Sequence, residues 1–227
     1  MILRAGAGLS VECLVLGDVL TNAYVLVGNE APAVCWVVDP GLGPRPLVER
    51  LAAKGLRCER ILLTHGHADH IAGVGAVKAA HPDAVVTVPA GDEPLLSDPA
   101  ANMSLPFGLH ITAPPPDETV RPGKEIHLGR LAWRVLDASG HTPGGAAYYC
   151  AAAGVVLTGD ALFAGSIGRC DIPGASEARL LRNIHENLLT LPGETRVLSG
   201  HGPPSTISRE RDGNPFLQSV PPGESTR

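Results

Sequence analysis

The sequence predicts an α+β fold in a single domain, on three observations. Short β-branched runs bounded by Gly and Pro recur along the chain. Two stretches have helical apolar spacing, and His and Asp residues gather just past the ends of the apolar runs. A chain of 227 residues, 44% of them hydrophobic, can bury one core of ordinary size, so no second large domain is expected.

The runs VECLVLG, NAYVLVG and AVCWVVDPG are β-branched and end on turn residues, which reads as three successive strands in an opening meander. After Asp39-Pro40-Gly41, PRPLVERLAAKG has helical spacing and a terminal Gly, and the strand-like RILLTH follows, so a β-α-β unit is expected. Further strands are expected at AVVTV, GRLAWRVLDA, AAYYCA and GVVLTGD, and EARLLRNIHENLLTL is the clearest amphipathic helix. Residues 91–119, rich in Pro, Asp and Ser, read as a surface excursion with little regular structure. The folded domain is expected over 1–216, with a flexible tail over 217–227.

Bulk properties exclude several classes of function. A net charge of -5 with scattered Lys and Arg offers no stripe for a phosphate backbone, so no nucleic-acid partner is expected. No apolar run suits a signal-peptide core or a membrane span, and a cytoplasmic protein without a membrane partner is expected. The five cysteines lack C-x-x-C spacing, which argues against a disulfide framework or a thiolate zinc site.

The strongest signal is THGHADH, where His65, His67, Asp69 and His70 crowd into six positions after an apolar strand. A solvated loop explains one histidine, not four donors with small Gly66 and Ala68 between them. His141 in SGHTPGG, Asp160 in TGD and His201 in SGHGP repeat the setting, each after a strand-like run. Seven imidazole and carboxylate donors match two divalent ions: zinc first, with iron and manganese accepting the same donors. The remaining histidines, His81, His110, His127 and His185, lack neighbouring donors and read as structural or surface residues.

In these motifs and their order the chain resembles the metallo-β-lactamase superfamily and, through TGDALFAGSIGRCDIPGA and SGHGPPSTISRERDGNPF, its short bacterial glyoxalase II-like branch. The resemblance implies a four-layer αβ/βα sandwich. It implies His65, His67 and His141 on one metal, Asp69, His70 and His201 on a second, and Asp160 between them. It also implies that Asp39, in VVDPG, lies beside the metals and hydrogen-bonds a ligand histidine; an Asp that merely organises the turn before Pro40 is the alternative. Arg169 matches a basic residue near the substrate carboxylate, against which stands a structural pairing with Asp171. Gly202 and Pro203 stand where the long glyoxalase II form carries a glutathione-contacting Tyr, and too little chain follows for that form's C-terminal helical domain.

The implied activity is hydrolysis of a small thioester, such as S-lactoylglutathione or another acyl-thiol, by a hydroxide shared between the two ions. Asp69 and Asp160 are the expected catalytic carboxylates, Asp69 orienting the hydroxide. A thiolate departs with little protonation, which suits a site without an obvious general acid. Two other chemistries share the scaffold: a mononuclear iron persulfide dioxygenase using the residues matching His65, His141 and Asp160, and a metallo-β-lactamase-type amide hydrolase.

Overall fold

A computed structural model describes residues 1–218. Its first sheet holds seven strands in sequential order: β1 (Ile2–Arg4), β2 (Leu9–Leu16), β3 (Thr21–Gly28), β4 (Val34–Val38), β5 (Arg57–Leu62), β6 (Val85–Pro89) and β7 (Glu118–Val120). Pairing is antiparallel through β4 and parallel from β4 to β7. The expected meander and β-α-β unit are both present, the latter crossing over through α1 (Arg45–Ala53). Two shorter helices, α2 (Ala68–Ile71) and α3 (Val74–Ala80), follow β5.

The second sheet is built from β8 (Glu125–Leu128), β9 (Leu131–Asp137), β10 (Ala146–Cys150) and β11 (Val155–Gly159). A small hairpin, β12 (Leu162–Phe163) and β13 (Ser166–Ile167), leads to α4 (Glu177–Asn183), which continues through one wider turn over Ile184–Leu188. Then β14 (Arg196–Ser199), β15 (Ser205–Thr206) and α5 (Ile207–Gly213) complete the sheet in the order β15-β14-β11-β10-β9-β8 and cover it.

Period-two alternation along the strands sends side chains into separate layers. On β3 and β4, Tyr24, Leu26, Trp36 and Val38 enter the core between the sheets, where Trp36 and Trp133 lie 6.4 Å apart. Ala23, Val25, Cys35 and Val37 face the other way, against Leu47 and Leu51 of α1 and Val74 and Val77 of α3. On the second sheet, Val155, Leu157 and Leu198 point inward, while Val156 and Val197 pack under Leu180, Ile184 and Ile207 of the helical layer. The result is the four-layer sandwich, with each fully buried Leu or Val contributing about 1.5–3 kcal/mol.

The excursion at 91–119 has little regular structure beyond the turns Glu93–Leu96 and Leu105–Phe107, except that its last two residues already pair with β6 as the start of β7. It is not wholly a surface feature: Asp92, Leu96, Asn102 and Ser104 are buried, because the segment folds back over the THGHADH loop. Leu217 packs in the helical-layer cluster, and the rest of the expected tail, beyond Gln218, lies outside the described residues. No helix among the described residues is long and apolar enough to cross a membrane.

Candidate metal centre

The topology explains why seven distant residues meet. β4, β5 and β6 run parallel in one sheet. β9 and β11, both antiparallel to β10, run alongside β14 in the other. The loops after their C-terminal ends carry Asp39, His65 to His70, Asp92, His141, Asp160 and His201 to one edge, where parallel strands commonly bind ligands. A bridge between Thr21 and His201 joins the sheets at that edge.

His65, His67 and His141 offer ligand atoms within 4.8 Å of one another, as do His65, His70 and Asp160, and again Asp69, His70 and His201. The three groups share His65 and His70, so all seven expected donors form one continuous cluster. The loop is extended at His67 and enters α2 at Ala68, and the helical turn carries the His70 ring to within 4.1 Å of the His65 ring. Among the described residues, His81, His110, His127 and His185 stand outside these groups.

Hydrogen bonds to the far side of three rings decide which nitrogen is free. His141 Nδ1 lies 2.9 Å from the carbonyl oxygen of Arg169, which can only accept, so the proton is on Nδ1 and Nε2 keeps a lone pair. Thr64 Oγ1 donates to Asp39 Oδ2 at 2.7 Å and so accepts from His65 Nδ1 at 3.0 Å. His70 Nδ1 donates to Asp39 Oδ2 at 3.1 Å. The Nε2 atoms of all three are buried without a hydrogen-bond partner, as is Asp160 Oδ1. Buried polar atoms are normally paired, and converging lone pairs with a carboxylate oxygen need a cation. The donor set fits divalent metal ions.

Charge supports that fit. Burial and the neighbouring His141 push His67 down to about 3, and burial likewise holds His65 well below its ordinary value, so both present free lone pairs at neutral pH. Burial also opposes charge on His70 and His201, but Asp69 and Asp160 override it and raise both, His201 to about 10. The carboxylates are in turn held well below their usual range, against burial, by the same imidazoles. Two carboxylates therefore draw positive charge into this half of the cluster.

Asp39 is buried at the end of β4 with a left-handed backbone, φ 48°, and its carboxylate also accepts from the Thr64 amide at 2.8 Å. It organises the histidine loop rather than only its own turn. The exposed guanidinium of Arg169 is held by Asp171 through bonds of 2.7 and 2.8 Å, the pairing that stood as the alternative to a substrate contact, while its carbonyl orients His141. Four residues to which the sequence reading gave no site role serve the same edge. Thr21 donates to Asp69 Oδ2 at 3.0 Å, Tyr24 and Tyr148 donate to the carbonyls of Ser199 and Leu63, and Asp92 bridges two loops. Asp92 alone had a readable signal, because PAGD after AVVTV repeats the strand-then-Gly-Asp setting of Asp160.

The metallo-beta-lactamase superfamily profile matches residues 16–201, from the end of β2 through the last donor. The chain belongs to the metallo-β-lactamase superfamily. Within it, the probable metallo-hydrolase YqgX of Bacillus subtilis is 38% identical over 203 residues, 89% of this chain and 94% of that protein. Hydroxyacylglutathione hydrolase GloC of Haemophilus influenzae is 32% identical over 213 residues, 93% of this chain and 99% of that protein. Among solved superfamily structures, the B3 metallo-β-lactamase BLEG-1 superimposes with a TM-score of 0.87 at 38% identity, covering 91% of this chain and 99% of that one. TTHA1623 in a di-iron-bound form gives 0.81 at 37% identity, covering 91% and 100%. ETHE1 from Myxococcus xanthus gives 0.72 at 27%, covering 92% and 85%.

Proposed function

We propose that this superfamily member is a binuclear metal-dependent hydrolase that cleaves a small thioester, such as S-lactoylglutathione or a related acyl-thiol. The observation that carries the reading is the continuous cluster of seven donors, with partnerless Nε2 atoms on His65, His70 and His141. His65, His67 and His141 would hold one ion, Asp69, His70 and His201 the other, and Asp160 would lie between them. The relative named hydroxyacylglutathione hydrolase, aligned over nearly its whole length, supports the substrate class.

When bound, two divalent cations supply Lewis acidity and bring a water near neutral acidity. The residues supply the rest. Asp69, with a quarter of its side chain exposed, faces the open side of the cluster and orients the attacking water. Asp160, partly buried just past β11, keeps the two halves of the cluster in register. Thr21 fixes the Asp69 carboxylate through Oδ2. The acyl-thiol needs no dedicated proton donor, because its thiolate leaves unprotonated.

The similarity to BLEG-1 favours a second reading, cleavage of a lactam amide at the same donors. An amide nitrogen must gain a proton on leaving, and the expected donors already engage every carboxylate of the cluster. The experiment is metal content per chain by elemental analysis, with hydrolysis of S-lactoylglutathione and of a β-lactam assayed on one preparation. Two ions, thioester cleavage, and loss of about 10³-fold in Asp160→Ala would match the several kcal/mol that metal-assisted catalysis supplies. A single iron with oxygen uptake on a persulfide and no thioester cleavage would replace this reading with the dioxygenase.

A further inference from the structure

The excursion after β6 touches the cluster at a residue that is not a donor. The chain turns sharply past Pro89, where the Asp92 amide bonds the Pro89 carbonyl at 2.9 Å, and the Asp92 side chain is carried inward with no exposed surface. Its carboxylate spans two loops. Oδ2 accepts from the amide of Gly66 at 3.0 Å and from Thr142 Oγ1 at 2.6 Å, and Oδ1 accepts from the amide of Gly144 at 2.6 Å.

Gly66 stands between His65 and His67, and Thr142 follows His141 directly. One buried carboxylate thus ties together the two loops that carry the first donor triad. The contact is close enough to require glycine at 144, where a Cβ would meet the Asp92 amide nitrogen at 2.5 Å. The excursion adds a second strut: the Asn102 carbonyl accepts from Ala68 N at 2.9 Å, and the Asn102 amide is tied back to Leu95 and Ile111. The other triad has supports that do not involve Asp92, Thr21 on Asp69 and Asp39 on His70, and Asp39 also reaches His65 through Thr64.

We propose that Asp92 is a positioning residue for one metal position, holding His65 and His67 at the correct distance from His141 and leaving the Asp69, His70 and His201 position to other supports. The inference rests on the binuclear reading above. Outer groups that orient ligands commonly carry 10- to 100-fold of metal affinity, and Asp92 acts on three ligands through two loops.

The test titrates metal-free protein with cobalt(II) and zinc, following cobalt absorption and chelator competition, with His67→Ala and His201→Ala marking the two positions. Asp92→Asn, which sets an amide donor against at least one of the three donors, is expected to weaken the ion marked by His67→Ala by about 10- to 100-fold. The ion marked by His201→Ala should change less than about threefold. Equal weakening of both ions, or unchanged affinity in a folded variant, would overturn the proposal. Should Asp92→Asn not fold, Thr142→Val removes one donor and is expected to cost the same ion about tenfold, with Thr142→Ser restoring it; unchanged affinity in Thr142→Val also overturns it. Wild-type protein that takes up a single ion sinks the binuclear reading while the affinity ratio is still read on that ion, and protein that takes up none sinks both.

Discussion

Asp39 Oδ2 accepts the Nδ1 proton of His70 at 3.1 Å, so the buried Nε2 of that ring is turned toward Asp69 and Asp160, 3.4 Å away on each side. The pair links a strained turn to the centre of the cluster, because Asp39 holds a left-handed backbone that non-glycine residues seldom adopt.

Asp39→Asn separates charge from strain, since Asn tolerates the left-handed region. Its amide places a donor against the Thr64 amide, or against the Thr64 hydroxyl and His70 Nδ1. Metal affinity is expected to fall about 10- to 100-fold, measured by chelator competition, with the far-ultraviolet spectrum retained. An unchanged affinity would show that the carboxylate only shapes its own turn.

Metal binding should release protons. Metal-free His70 and His201 are both raised by Asp69 and Asp160 against burial, His201 to about 10, so at pH 7.5 each carries a proton that an incoming cation must displace. Affinity for that ion is therefore expected to rise with pH, by up to about tenfold per unit for each proton released, until pH approaches 10. His67, lowered to about 3, adds nothing to this dependence at neutral pH. Calorimetry in two buffers of different ionisation heat checks the released protons, and a flat affinity from pH 6.5 to 9 would contradict the assignment.

Gly200→Ala should empty the site without abolishing the fold. A Cβ there would lie 2.1 Å from Asp160 Oδ1 and 2.6 Å from His70 Cε1, so the donors themselves must move. Less than one metal per chain is the expected analysis. Gly75→Ala in α3 is the matched control: nothing lies within 4 Å of its Cβ, and stability should rise by about 0.4–1 kcal/mol with metal content unchanged.

Arg169 and Asp171 separate substrate binding from ligand orientation. Because the Arg169 carbonyl, not its side chain, orients His141, Arg169→Ala should leave metal content intact. If the guanidinium receives an anionic substrate, KM should rise about tenfold with little change in kcat, and Asp171→Ala, by freeing the cation, should lower KM. Steady-state kinetics on anionic and neutral thioesters would expose an idle surface pair, for which both variants match the parent.

How much of this was legible in the sequence follows element length. Strands of five or more residues with alternating β-branched positions, such as β3 and β4, announce themselves because each face buries its own set of side chains. β12, β13 and β15, two residues each, exist by virtue of their partners, and α3, VGAVKAA, and α5, ISRERDG, carry too short an apolar pattern to be read. The donors were legible for another reason: His and Asp in small-residue loops past apolar strands serve little purpose apart from a ligand.

By itself the sequence determined the mixture of strands and helices, the order of the main elements and the seven candidate donors, because side-chain periodicity and donor chemistry are local properties. Tertiary structure alone decided which nitrogen each ring presents, that Asp92 bridges two histidine loops, that Arg169 meets Asp171 while its carbonyl meets His141, and that Thr21 steadies Asp69. Those relationships join residues up to 52 positions apart, such as Asp92 and Gly144, through hydrogen bonds whose partners are chosen by how two sheets pack at one edge. No local pattern encodes that choice, since a buried carboxylate takes whichever donors the packed backbone brings within reach.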